Sequence, residues 1–132
     1  MPLTLEIVTP QQRVLTVTCD EVRAPGEAGG FGVRPGHTAL VAALEAGELS
    51  YVVAGAVHRF AVGEGFAEVA DDRVRILVEE AFRAEDLDRD AVLKELGERK
   101  NKLAGMQEGD AGYENERARV QRAAARATVA TH

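Results

Sequence analysis

An α+β fold is predicted, in which a β domain of short antiparallel strands, a sandwich or a barrel, leads into a C-terminal helical hairpin. Three observations predict it. All four prolines lie at or before Pro35, and nine of the thirteen glycines lie at or before Gly65. Up to about Glu80, apolar and polar residues alternate in short segments, the period of strands with one buried face. After Phe82 the chain has no proline and is rich in Ala, Leu, Glu, Lys and Arg, all good helix formers. The 132 residues therefore divide into 1–84 and 85–132, a small domain and an appendage.

The strand pattern is clearest at three places. Leu3, Leu5 and Ile7 alternate with Thr4 and Glu6, Leu49, Tyr51 and Val53 repeat the pattern, and Val74, Ile76 and Val78 follow with Arg73 and Arg75 opposite. Turn sequences punctuate the domain at Thr9-Pro10-Gln11-Gln12, Ala24-Pro25-Gly26, Ala46-Gly47, Ala54-Gly55, Gly63-Glu64-Gly65 and Asp71-Asp72. Many short strands so spaced suit an antiparallel sandwich or barrel.

Among these segments lies Gly29-Gly30-Phe31-Gly32-Val33-Arg34-Pro35-Gly36-His37. Glycine tolerates positive φ and admits a neighbouring backbone, while Pro35 fixes its own φ and biases Arg34 toward an extended conformation. The segment reads as a rigid, closely packed surface loop that presents a shape to a partner. A phosphate cradle would need a helix N-terminus after the glycines and usually a Lys-Ser/Thr pair, and neither follows His37. His37 reads as a turn-stabilising or interface side chain rather than a titrating relay.

The first helix is expected over residues 84–104, with Asp86 as N-cap. Val92, Leu96 and Leu103 form its apolar face, and Arg99 interrupts that stripe. Gly105, Gly109 and Gly112 then break the chain. A second helix runs from about Tyr113 to Ala130, with Tyr113, Val120, Ala124 and Ala127 on its apolar face and Arg119, Arg122 and Arg126 roughly opposite. A seam of alanines buries little area, and isolated helices of this length are marginal in water. The hairpin is therefore expected to hold weakly and to be able to leave one surface for another, although its pattern also suits a solvated cap on a sheet edge.

Charge is unevenly spread. The chain carries a net charge of -6, and residues 1–84 hold twelve acids against seven Lys and Arg. From Arg117 to His132 there are four arginines, Arg117, Arg119, Arg122 and Arg126, and no acid. Guanidinium forks suit carboxylates or phosphates, so this tip points to an acidic partner surface; complementing the helix dipole is the plainer alternative. The acidic balance argues against a nucleic-acid surface. Cys19, the lone cysteine, excludes an internal disulfide and reads as a small buried side chain. No apolar run approaches the roughly 18 residues of a membrane span, and the N-terminus lacks a signal or transit pattern.

Catalytic constellations are sparse. His37, His58 and His132 form no metal-ligand spacing, and there is no second cysteine. Ser50, the only serine, sits inside an alternating segment and outside any nucleophile elbow. Adjacent carboxylates such as Glu79 and Glu80 point to opposite faces of a strand. The chain is expected not to be an enzyme and to hold no metal.

Taken in order, GGFGVRPGHTAL, then GFAEV at Gly65 to Val69, then DRVRILVEEA and a helical hairpin opening on Leu87-Asp88 resemble the epsilon subunit of bacterial and plastid F-type ATP synthases. The similarity covers nearly the whole chain. It implies a sandwich of about ten strands followed by two helices, in a non-catalytic subunit of the central stalk. It further implies that the sandwich docks on the gamma subunit and the c ring through Gly29, Gly30, Phe31, Gly32, Arg34, Pro35, Gly36 and His37. The hairpin would restrain ATP hydrolysis when Arg117, Arg119, Arg122 and Arg126 meet an acidic segment of the beta subunits. The setting implied is the cytoplasmic face of a bacterial inner or plasma membrane, with the plastid thylakoid as the lesser alternative. Attachment there would be peripheral, through the complex and without lipid insertion. A stand-alone sandwich whose hairpin docks an unrelated acidic protein is the alternative reading.

Four positions depart from the family pattern. Ala39 replaces the second proline of the loop motif P-G-H-x-P-L, and Gly30 stands where an acid often faces the c ring. Nucleotide-binding members open the first helix with I/L-D-x-x-R-A, matched here by Leu87 and Asp88 but with Ala91 and Val92 in the Arg-Ala places. Asp88, Arg122 and Arg126 would then make a weak nucleotide contact at most, and ATP binding is expected to be weak or absent, with no other cofactor.

Overall fold

Two five-stranded sheets face each other in the computed structural model, which describes residues 2–132. Ten strands form among the described residues: β1 (Leu3–Val8), β2 (Arg13–Cys19), β3 (Glu21–Ala24), β4 (Phe31–Val33), β5 (Leu40–Leu44), β6 (Gly47–Val53), β7 (Ala56–Val62), β8 (Gly65–Ala70), β9 (Arg73–Val78) and β10 (Ala81–Arg83). One sheet runs β2-β1-β9-β8-β5 and the other β10-β7-β6-β3-β4. A 3₁₀ turn, Ala84–Asp86, leads to α1 (Arg89–Ala104) and α2 (Tyr113–Ala130).

The alternating residues fill the space between the sheets. Leu3, Leu5, Ile7, Leu49 and Ile76 are fully buried, and Val74, Val78 and Tyr51 nearly so. Cys19 joins them, and burial raises its thiol pKa above the ordinary value, as expected for an inert core side chain. Ala54 and Gly55, and again Asp71 and Asp72, adopt positive φ in two-residue hairpin loops, where left-handed residues match the twist of the flanking strands.

Three expectations are corrected. The sandwich is not purely antiparallel, because β1 pairs with β9 in parallel, Leu5 beside Val74 and Ile7 beside Ile76. The first strand is thus enclosed by a late one, and the 64 residues between Val8 and Arg73 make the long crossover such a pair needs. The first helix begins later than residue 84, and its N-cap is Asp88 rather than Asp86. The Asp88 carboxylate accepts from the Ala91 N–H at 3.0 Å, whereas Asp86 closes the preceding 3₁₀ turn.

The buried face of α2 also differs. Ala123, Ala125, Ala127 and Val129 are buried, while Tyr113, Val120 and Ala124 are only partly so. Two faces are covered because α2 lies against α1 on one side and against β6 and β7 on the other. A helix held between two surfaces shows no single 3.6-residue stripe. Alanine at the contacts lets both neighbours approach closely, yet each buried methyl is worth only about 0.8 kcal/mol.

Candidate functional site

Two surfaces carry the residues that the sequence singles out. The first is the 29–37 segment, which is not a continuous loop. Phe31, Gly32 and Val33 form β4, the edge strand of its sheet, pairing Val33 with Val22 and Phe31 with Ala24. Val33 is buried and anchors the strand to the core, leaving Gly30, Gly32, Arg34, Pro35, Gly36 and His37 exposed. Glycine is required here chiefly for backbone sign. Gly29 and Gly36 have φ of 126° and 84°, and a Cβ at either would meet nothing within 4 Å. The close backbone approach expected inside the segment is instead made just before it, where a Cβ on Gly26 would collide with the Gly29 carbonyl.

Asp72 holds the far end of the segment. The Gly36 N–H donates to its carboxylate at 2.7 Å, tying the segment to the β8–β9 turn. The His37 N–H donates to the Arg34 carbonyl at 3.1 Å, and its ring Nδ1 lies 2.7 Å from the Thr38 carbonyl. A carbonyl only accepts, so Nδ1 carries the proton and His37 stabilises its own turn. Arg23 and Arg34 share one carboxylate, Glu21, at 3.0 and 3.8 Å, and both guanidinium groups remain exposed. These residues line a shallow cleft of about 450 Å³ beside β4. A second cleft of about 570 Å³, lined by Phe31, Val41 and Ala43 among others, flanks its other side. An edge strand between a basic cleft and an apolar one is suited to docking a protein, not to holding a small reactive molecule.

The second surface is the arginine face of α2, which is not a free basic tip. Arg122 makes a bidentate pair with Glu64, Nε and Nη2 donating at 2.9 and 2.8 Å. That pairing lowers the Glu64 carboxyl pKa and raises that of Arg122. Arg126 donates from Nη1 to Glu80 and from Nη2 to Glu95, with its guanidinium over the Phe82 ring. Arg119 donates to Glu116 of its own helix at 3.2 Å while half its side chain stays exposed, and Arg117, beside exposed Glu114 at 3.7 Å, reaches outward in a loose pair. Asp88, as the α1 cap, uses its carboxylate on its own helix. Of the three guanidinium groups expected on one side of α2, Arg122 and Arg126 thus bridge the helix to the sandwich, Arg126 also to α1, while Arg119 pairs within α2.

Glu116 explains why Arg99 interrupts the apolar stripe of α1. Its carboxylate is 2% exposed and is met by Arg99 at 3.3 Å, Lys102 at 3.6 Å and Arg119 at 3.2 Å. Burial raises its pKa, but the hydrogen bonds from Arg119 and Arg99 and the Lys102 charge outweigh that, and the carboxyl lies below its ordinary value. Sequence reasoning passed over Glu64, Glu80, Glu95 and Glu116 as site residues. Arg99 in an apolar seam was a signal for Glu116; pairs 46 and 58 residues apart leave none. Among the described residues no group of three His, Cys, Asp or Glu is placed to hold a metal, and no helix is long and apolar enough to cross a membrane.

Comparison with known proteins places the chain in one family. The family described as ATP synthase, delta/epsilon chain, β-sandwich domain matches residues 2–84. An ATP synthase epsilon chain of Anaeromyxobacter dehalogenans strain 2CP-C is 52% identical over 130 residues, covering 98% of each chain. The chain belongs to the ATP synthase epsilon chain family. As an epsilon chain it is a non-catalytic subunit of the complex. The epsilon chain of Myxococcus xanthus strain DK1622 is 40% identical over 124 residues, 94% of this chain and 91% of the relative. In the Euglena gracilis mitochondrial ATP synthase structure of OSCP, F1 and c-ring, one chain superposes with a TM-score of 0.83 at 23% identity, covering 99% of this chain and 82% of that one. A chain of the Tetrahymena thermophila mitochondrial ATP synthase central stalk and c-ring gives 0.60 at 16% identity, covering 98% and 97%. The epsilon fold, sandwich and hairpin together, is shared with both.

Proposed function

We propose that this epsilon chain is a rotor subunit of a proton-translocating ATP synthase. It would couple the turning of a c ring to ATP synthesis in the catalytic head, and its hairpin would restrain ATP hydrolysis. The observation that carries the reading is similarity to epsilon chains over both halves at once, with 98% of the chain aligned. Full-length similarity leaves the stand-alone module without support. The β4 edge and the turn after it, Gly29 to His37, serve as the docking edge for the gamma subunit and the c ring. Val33 anchors that edge to the core, and Asp72 holds its far end. Arg117, Arg119, Arg122 and Arg126 supply the hairpin's contact to an acidic segment of beta. The subunit sits at the cytoplasmic face of a bacterial membrane, attached through the complex.

ATP binding is weak or absent in this reading. Ala91 stands in the motif's arginine place, and the three residues of the weak nucleotide contact are otherwise engaged, Asp88 in its cap and Arg122 and Arg126 with carboxylates. Titration calorimetry yielding a micromolar constant would overturn this. For the function itself, a tagged full chain should recover gamma from cells, and the matching head should hydrolyse ATP faster when residues 85–132 are removed. Failure to recover gamma would rule out the stalk assignment, and unchanged hydrolysis the regulatory one.

A further inference from the structure

The two arginines with the tightest internal pairs are also ones that the proposed regulatory contact requires. Arg122 and Arg126 lie four residues apart on one face of α2. Each guanidinium is spent, Arg122 in a two-pronged pair with Glu64 and Arg126 between Glu80 and Glu95. Their side chains are only 23% and 15% exposed. An outside carboxylate can reach them only by taking the place of these.

The sandwich presents its two carboxylates as a built platform. Glu64 lies in the β7–β8 turn and Glu80 just before β10, and their backbones are bonded into one another. The Gly63 N–H donates to the Glu80 carbonyl at 2.9 Å, and the Glu79 N–H to the Glu64 carbonyl at 3.0 Å. Their spacing is therefore set by the sheet, whereas Glu95 rides on α1 and moves with the hairpin. Across the same contact the helix offers mainly alanine, whose burial is weak and does little to define register. The ion pairs are what position α2 on the sandwich.

We infer that Glu64 and Glu80 act as an internal mimic of an acidic partner, occupying Arg122 and Arg126 so that the hairpin engages an acidic segment elsewhere only by exchanging one pair of carboxylates for another. The identity of that segment rests on the regulatory reading above; the internal competition rests on the geometry alone. Exchange of this kind conserves ion pairs, so the hairpin's transfer need not leave a buried charge bare.

The test uses the full chain. In the double variant Glu64→Gln with Glu80→Gln, amide exchange over residues 113–130 should accelerate on the order of tenfold while exchange of β1, β8 and β9 stays as in the parent, because only the hairpin opens. Unchanged exchange over α2 would overturn the latch. Added to the matching catalytic head, the same variant should inhibit ATP hydrolysis at a several-fold lower concentration than the parent. Arg122→Ala with Arg126→Ala should also speed exchange, yet weaken inhibition. Opposite signs in the two variants identify competition; weakened inhibition in both would mean that the carboxylates serve structure only, and would sink the mimicry. If parent and 85–132 deletion inhibit equally, the regulatory reading falls while the exchange result still decides the latch.

Discussion

Glu116 shows how a single buried side chain sets the register of two helices. Its carboxylate gathers Arg99 and Lys102 from α1 and Arg119 from α2, three cations that would repel one another without it. Glu116→Gln keeps the shape and removes the charge, so the hairpin should lose protection at lower temperature than in the parent while the sandwich melts unchanged. Residue-resolved exchange along a temperature series checks this, and an unaltered hairpin would show that the cations are satisfied by solvent. Asp72 plays the matching part for the β4 edge and the turn after it. Asp72→Ala removes the acceptor for the Gly36 N–H and should cost about 1 kcal/mol in urea unfolding. Asp72→Gly loses the same bond but accepts the φ of 58° without strain, and should cost less. Of these roles the sequence disclosed Arg99 as an anomaly in an apolar stripe. It could not disclose Asp72, whose partner is 36 residues away.

At the scale of elements, α1 is the least optimised piece of the fold. Gly97 sits in mid-helix, exposed, and a Cβ there would meet nothing within 4 Å. Gly97→Ala should therefore stabilise α1 by up to about 1 kcal/mol, through the entropy of the unfolded chain and without new contacts. A higher midpoint for hairpin melting is the expected outcome, and a lower one would mean that α1 needs its glycine. The strands were more legible than the helices' surroundings. Leu3, Leu5 and Ile7 announced a buried face by their period, and that face is buried. Period 2 says which way side chains point but nothing of a neighbour's direction, so the parallel β1–β9 pair was invisible. The three-residue β4, half glycine-bordered, looked like loop for want of length. In α2, contact on two sides blurred the stripe that periodicity relies on.

For the whole molecule, the division of labour between apolar and ionic contacts predicts two separable transitions. The sandwich is held by Leu, Ile, Val and Phe between its sheets, whereas the hairpin rests on alanines and on the carboxylates of Glu64, Glu80, Glu95 and Glu116. The pKa values of Glu64 and Glu116 lie below the ordinary carboxylate value of 4.5 in the folded chain, the first chiefly through the Arg122 hydrogen bonds and the second against its own burial. A carboxyl lowered on folding contributes stability that is fully present above its unfolded pKa. As pH falls below about 4.5 the unfolded chain takes up the protons first, and the contribution drains until the folded carboxyls protonate in turn. Between pH 7 and 5.5 the hairpin should therefore be equally protected, and below about pH 4.5 α2 should open progressively while β1, β8 and β9 stay protected. Pulsed hydrogen exchange across that range reads both elements in one experiment. Glu64→Gln should flatten the part of the α2 profile that Glu64 supplies, leaving the part due to Glu116. Loss of sandwich and hairpin protection at one common pH would instead mean that the two halves unfold as a unit.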